Sequence, residues 1–166
     1  SNLGTSSSWD TATDIHVFSD GSMVTAGYFR STADLNPDPA VTENSTAVGT
    51  TDTVIHRLDS SGNKVWHTIL PGSGRDEPND LAVDGSGNIY VTGKYNGTFG
   101  AISAPAGGYD AYVVKLNASG VAQWTKAVTA DGDASGVGVA VDGSGNVYFS
   151  GTFKGTADID PSGTTE

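Results

Sequence analysis

Short runs in which apolar and polar residues alternate follow one another along the chain, separated by clusters of Gly, Asn, Asp and Ser. Between residues 80 and 128 four such runs can be marked: Asp80–Asp84, Asn88–Lys94, Asp110–Asn117 and Val121–Val128. A period of two over so few residues predicts strands. The first pair is joined by Asp84-Gly85-Ser86-Gly87-Asn88 and the second by Asn117-Ala118-Ser119-Gly120. In each linker a short polar side chain can cap the turn while Gly takes the positive φ that a tight hairpin needs. The expected unit is therefore a four-stranded antiparallel meander. Its alternation is blurred, with Tyr112, Val114 and Leu116 on one face and Val113 on the other. Such a sheet has two apolar faces and must stack between neighbours to bury both.

The neighbours are visible as internal repeats. VDGSGNIYVTG at 83–93 returns as VDGSGNVYFSG at 141–151, with eight of eleven positions identical at an offset of 58. Trp66 and Trp124 keep the same spacing, as do Leu58 and Leu116. A more divergent copy, DIHVFSDGSMVTAG at 14–27, overlays 80–93 at an offset of 66. The extra residues fall in the connection before residue 50, whose DLNPDPAVTEN composition marks an inserted loop. TADLNPDP (32–39) is in turn similar to TADIDPSG (156–163). A fixed period of this size is the mark of solenoids and propellers. The fold expected is all-β: propeller blades, each a four-stranded antiparallel meander, in an open or incomplete ring. By this phasing 1–13 ends a preceding blade, 14–70 is a first blade with an inserted loop at 31–50, 71–129 a second, and 130–166 the first half of a third. Both ends fall inside blades, so either these residues belong to a longer chain or several copies assemble into a ring or filament. Open edges and apolar faces favour association.

Composition narrows the partners. The 166 residues carry only 8 Lys and Arg against 19 Asp and Glu, a formal charge of −11, which disfavours nucleic acid and anionic membrane surfaces. There is no Cys, which removes disulfides, thiolate catalysis and Cys-based zinc sites. No apolar run is long enough to span a bilayer, and residues 1–10 lack the pattern of a signal peptide.

Lys115, Leu116, Gly120, Trp124, Val141, Asp142, Gly145, Asn146, Tyr148 and Gly151 together resemble the SBBP family, the bacterial and archaeal seven-bladed β-propeller repeat. The likeness covers roughly residues 10–166, with Arg57 replacing the Lys one repeat earlier. It implies secreted or surface-exposed, often very large proteins and no single activity. Seven such blades would need about 400 residues, more than are present here.

Candidate chemistry is sparse. His16, His56 and His67 share no ligand or nucleophile spacing, and strand histidines with satisfied hydrogen bonds are the simpler reading. Asp131, Asp133 and Ser135 place oxygens at alternate positions, as do Asp34, Asn36 and Asp38, and Asp158 with Asp160. Alternate oxygens on a curling loop suit calcium, although the closing bidentate Glu is missing, the preceding repeat carries Arg75, and plain Asx turns are the other reading. No cofactor besides calcium is suggested. Asp84 and Asp142 recur with the repeat and are expected to close turns rather than act as unique acids. Trp66 and Trp124 are expected to pack blades, whereas Trp9, outside that register, is the better candidate for an exposed ligand contact. Asn44 and Asn96 fit the glycosylation acceptor pattern; Asn117 also fits but is already explained by its turn.

The expected role is a non-catalytic structural or adhesive module of an extracellular or cell-surface protein, partnered by further blades or other copies. A ligand-binding propeller for glycans or calcium is the alternative, and part of a secreted hydrolase a third.

Overall fold

The computed structural model describes residues 10–103 and 108–159, and within them every regular element is a strand. In chain order these are β1 (Thr11–Val17), β2 (Met23–Phe29), β3 (Thr32–Asp34), β4 (Asn44–Thr46), β5 (Asp52–Leu58), β6 (Lys64–Leu70), β7 (Glu77–Val83) and β8 (Ile89–Tyr95). They continue with β9 (Thr98–Phe99), β10 (Ile102–Ser103), β11 (Asp110–Leu116), β12 (Ala122–Ala130), β13 (Ala134–Val141), β14 (Val147–Phe153) and β15 (Ala157–Asp158). The first blade is the antiparallel sheet β1-β2-β5-β6. The second is β7-β8-β11-β12, with β15 added at its outer edge, and β13-β14 begins a third. The four strand runs marked in the sequence are thus those of the second blade, with β7 starting three residues earlier than marked and the other bounds agreeing within two residues.

One turn serves every main hairpin. Gly21, Gly62, Gly87, Gly120 and Gly145 each donate their N–H to the carbonyl three residues back and hold φ near +80°. In the second blade the Asp84 carboxylate accepts the N–H groups of Ser86 and Asn88, and Asp142 does the same for Ser144 and Asn146. These aspartates close turns, as the sequence suggests.

A second recurrent feature bends the innermost strand. The β1–β2 register slips between Ala12 and Asp14, β7–β8 between Pro78 and Asp80, and β13–β14 between Gly136 and Gly138. Opposite each bulge lies Gly27, Gly93 or Gly151, and a Cβ on any of them would meet the carbonyl oxygen of Thr11, Glu77 or Ser135 at 2.3, 2.1 or 2.6 Å. Only glycine admits so close a backbone approach, which is the use of the Gly ending each VTG or FSG stretch.

Blades stack face to face. Val24, Ala26 and Ile55 of the first pack on Leu81, Val91, Tyr112, Val114 and Leu116 of the second, with Trp66 against the boundary. Tyr90 and Val113 on the second blade's other face meet Val139 of the third, flanked by Trp124. The inserted loop is not structureless: β3 and β4 pair as a hairpin, and Ala33 and Leu35 bury themselves against Phe29 and Val54. The similar segment near residue 157 is used differently, because β15 pairs with β12 of the preceding blade, Thr129 opposite Asp158.

Candidate functional site

The inner-strand bulges have a consequence between blades. They turn out the side chains of Asp14 and Asp80, counterparts at the offset of 66. Asp14 Oδ2 accepts the Leu81 N–H at 2.8 Å, and Asp80 Oδ2 accepts the Val139 N–H at 2.7 Å. Each carboxylate therefore holds the innermost strand of the next blade. Burial, and Asp14 close beside it, push the Asp80 carboxyl above the usual carboxylate range, although the Val139 amide opposes them. The corresponding position of the third blade is Gly138, which has no carboxylate to offer onward. Asp80→Ala is expected to speed amide exchange at Val139 by about tenfold, the equivalent of one lost hydrogen bond to a charged group, while Asp80→Asn keeps an acceptor and preserves protection. Unchanged exchange in the alanine variant would remove the clasp from the account.

A second cluster is buried where the first two blades join. Asp76, just before β7, is fully buried and its N–H donates to both the carbonyl and Oγ1 of Thr51. Neither of its carboxylate oxygens has a hydrogen-bond partner. The group lies against Gly72, where a Cβ would stand 1.9 Å from Asp76 Oδ2, and the Gly72 N–H is donated to Asp52 Oδ1. Burial first, then the negative charges of Asp52 and Glu77, push Asp76 up to about 8. Tyr95, whose buried hydroxyl has no partner, is displaced upward by burial and by Asp110 and Asp76. Glu77 itself is paired with Arg75 and Lys94.

A cavity of about 490 Å³ lies between the second blade and the third. Ala111 and Val113 of β11 and Trp124 and Val128 of β12 form one wall; Val147, Phe149 and Phe153 of β14 form the other. Among the described residues β14 pairs only with β13, so its other edge is unpaired. In the second blade the equivalent edge, that of β8, is covered by β11. The effect on burial is large: Tyr95 is 0% exposed and its counterpart Phe153 56%, while Tyr90 is 1% exposed and Tyr148 58%.

The residues read as candidate calcium ligands make the following contacts. Asp34 Oδ1 accepts the N–H groups of Asn36 and Glu43, Asn36 Oδ1 that of Asp38, and Asp38 Oδ1 that of Ala40, a succession of Asx turns. Asp133 Oδ1 accepts the Tyr109 N–H, and Ser135 Oγ accepts from the Asn79 amide. Asp131 donates its N–H to the Thr156 carbonyl, and Asp158 lies in β15. Among the described residues no three carboxylate or imidazole groups converge as a metal site. Asp160 and Trp9 lie outside the described residues. Asn44 is exposed on β4, whereas Asn96 is half-buried and its Oδ1 accepts the Arg75 N–H.

The histidines are less scattered than their spacing suggests. His56 and His67 face each other across β5 and β6 with ring centroids 5.7 Å apart. His56 Nε2–H donates to the Leu35 carbonyl, tying down the inserted hairpin, and burial lowers its basicity. A pairing of this kind needs strand register, which spacing alone does not supply. The Asp14 and Asp80 clasp had a visible signal, the aspartate common to both aligned segments, whose role only the bulge reveals.

Residues 65–100, running from β6 to β9, match the model of the SBBP family, described as a β-propeller repeat. An uncharacterised WD repeat-containing protein of Acanthamoeba polyphaga mimivirus is 25% identical over 174 aligned residues, covering 82% of this chain and 12% of that protein. The regulatory protein FlaEY of Caulobacter vibrioides is 33% identical over 82 residues, which is 48% of this chain and 9% of its own length. The chain therefore spans a small fraction of the curated relatives it matches.

Proposed function

We propose that this chain, which carries the SBBP β-propeller repeat, serves as a non-catalytic structural and adhesive module of a secreted or cell-surface protein, and that it associates with further blades through its open edges. The observation that supports this reading is where the recurrent polar residues are spent. Asp84 and Asp142 close turns, while Asp14 and Asp80 hold one blade to the next. A repeat whose polar groups serve its own stacking is built to be extended and to carry loops on a rigid frame. Among the described residues the outer edge of β14 has no partner strand and Tyr148 and Phe153 are exposed, which supports association there. Light scattering on the purified chain is expected to show a mass that rises with concentration, and panels of polysaccharide, ester and peptide substrates are expected to show no turnover. A monomer at every concentration refutes the association, and turnover refutes the non-catalytic assignment.

A further inference from the structure

We infer that the buried seam between the first two blades binds one calcium ion through Asp76, Asp110, the Tyr95 hydroxyl and the Thr98 carbonyl. Four strands stand on each side of this seam, so the site belongs to the interior of the stack. It is separate from the loops at Asp34 and Asp131, whose alternating oxygens first suggested calcium.

The observation that carries the inference is a gathering of buried polar atoms that bond to nothing. Asp76 and Tyr95 are 0% exposed and Asp110 2%. Both carboxylate oxygens of Asp76, Oδ2 of Asp110 and the Tyr95 hydroxyl have no hydrogen-bond partner. They belong to one neighbourhood. Tyr95 stands directly opposite Asp110 across β8 and β11, and Asp110 and Asp76 both lie close enough to act electrostatically on its hydroxyl. A Cβ on Gly72 would meet Asp76 Oδ2 at 1.9 Å and the Thr98 carbonyl oxygen at 2.4 Å, so those two oxygens are close neighbours beside a residue with no side chain. Polar groups buried without partners are rare in folded proteins because each forfeits its hydration, and several at one seam point to a ligand.

Charge and donor type identify the ligand. Asp52 and Glu77 are buried near the same place, and the cations at hand, Arg75 and Lys94, are both paired with Glu77. Among the described residues Asp52, Asp76 and Asp110 make no ion pair, so the seam carries a surplus of negative charge. Water would bring no compensating charge. A proton on Asp76, which stands in when the ion is absent, removes one charge and leaves Asp110 Oδ2 and the Tyr95 hydroxyl without partners. Carboxylate, phenol and carbonyl oxygens are hard donors, the set that calcium takes, with water completing its six to eight positions. Oxygens about 2.3–2.6 Å from one calcium stand up to ~5 Å from each other, near neighbours that need not be hydrogen-bond partners. Two carboxylates balance its charge.

The test uses the intact chain stripped with a chelator, titrated with calcium chloride in a calorimeter and followed by thermal unfolding. One calcium per chain is expected, with a raised unfolding midpoint that magnesium does not reproduce. Asp76→Asn is expected to abolish the binding. Tyr95→Phe, which keeps the ring and both carboxylates, is expected to weaken it at least tenfold while leaving the calcium-free midpoint nearly unchanged. Absence of calcium binding overturns the inference, as does equal stabilisation by magnesium, which would mean general screening of charge. Binding that Asp76→Asn leaves intact overturns it too, since the ion is then held at the Asp34 or Asp131 loops. Should Asp76→Asn fail to fold, Tyr95→Phe decides, and an unchanged calcium affinity in that variant refutes the site.

Discussion

Raising the pH from 6.5 to 8 is expected to lower the unfolding free energy by about 2 kcal/mol, and Asp76→Asn is expected to remove most of that loss. The unfolded chain has given up the Asp76 proton well below pH 6.5, since a free aspartate titrates near 4. The folded chain keeps it up to about 8 because burial and the nearby Asp52 and Glu77 oppose a further charge. The native state therefore binds one proton more than the unfolded state across this window, and stability falls as pH rises, by about 1.4 kcal/mol per unit. The stabilisation is complete below the unfolded value and gone above the folded one. The buried histidines act with the opposite sign: burial holds His56 and His67 below their ordinary value, so their contribution grows with pH until the unfolded histidines are neutral, about one unit above 6.5, and offsets part of the loss at the start of the window. Asp10, Asp80 and Asp110 are also displaced upward, mainly by burial, and any slope left in the variant is theirs. Asparagine keeps the shape of Asp76 without the charge. Urea unfolding at several pH values decides the matter, and parallel curves for the two proteins would show that Asp76 does not titrate in this range.

Gly93→Ala is expected to cost about 3 kcal/mol, the upper end for overfilling a packed site. Its Cβ would stand 2.1 Å from the Glu77 carbonyl oxygen and 2.7 Å from the Pro78 Cα, both main-chain atoms that no side-chain rotation can move. Relief requires β7 to shift off β8, and β7 carries the bulge that aims Asp80 at Val139. The damage should therefore reach the third blade, seen as faster amide exchange along β13 as well as a lower urea midpoint. Gly85→Ala is the matched comparison. That glycine lies in a turn with open space around it and no positive φ, so alanine there should be neutral or slightly stabilising. Equal effects at the two positions would refute the steric account.

The difference between those two glycines is also the difference between what sequence reading reached and what it missed. Gly87, Gly120 and Gly145 were legible because a turn is a short-range event: an Asx or Gly at fixed offsets suffices, whatever the rest of the chain does. The four strands of a blade were legible for the same reason, their period of two being local. The period of 58 then announced the stacking, since a sheet apolar on both faces has no other means of burying them. Asp34, Asn36 and Asp38 could be read two ways from spacing alone. In the fold each accepts the N–H two residues on, the shortest-range partner available.

The roles of the residues that join blades were not legible. Asp14 and Asp80 resemble the turn aspartates in sequence, and only the bulge opposite Gly27 and Gly93 directs them across to the next sheet. Asp76 reads as one more acid in a polar loop until Thr51, 25 residues back in the chain, and the nearby Gly72 close over it. Leu35 reads as part of an inserted loop, yet it is buried beneath the hairpin that His56 ties down.

By itself the sequence determined the strands, their turns, the repeat and the all-β class, because alternation and turn chemistry act within a few residues. Tertiary structure alone decided which carboxylates clasp, which one keeps its proton and where a groove stands open. Those properties depend on groups brought together from different blades, and their desolvation and register exist only once the sheets have stacked.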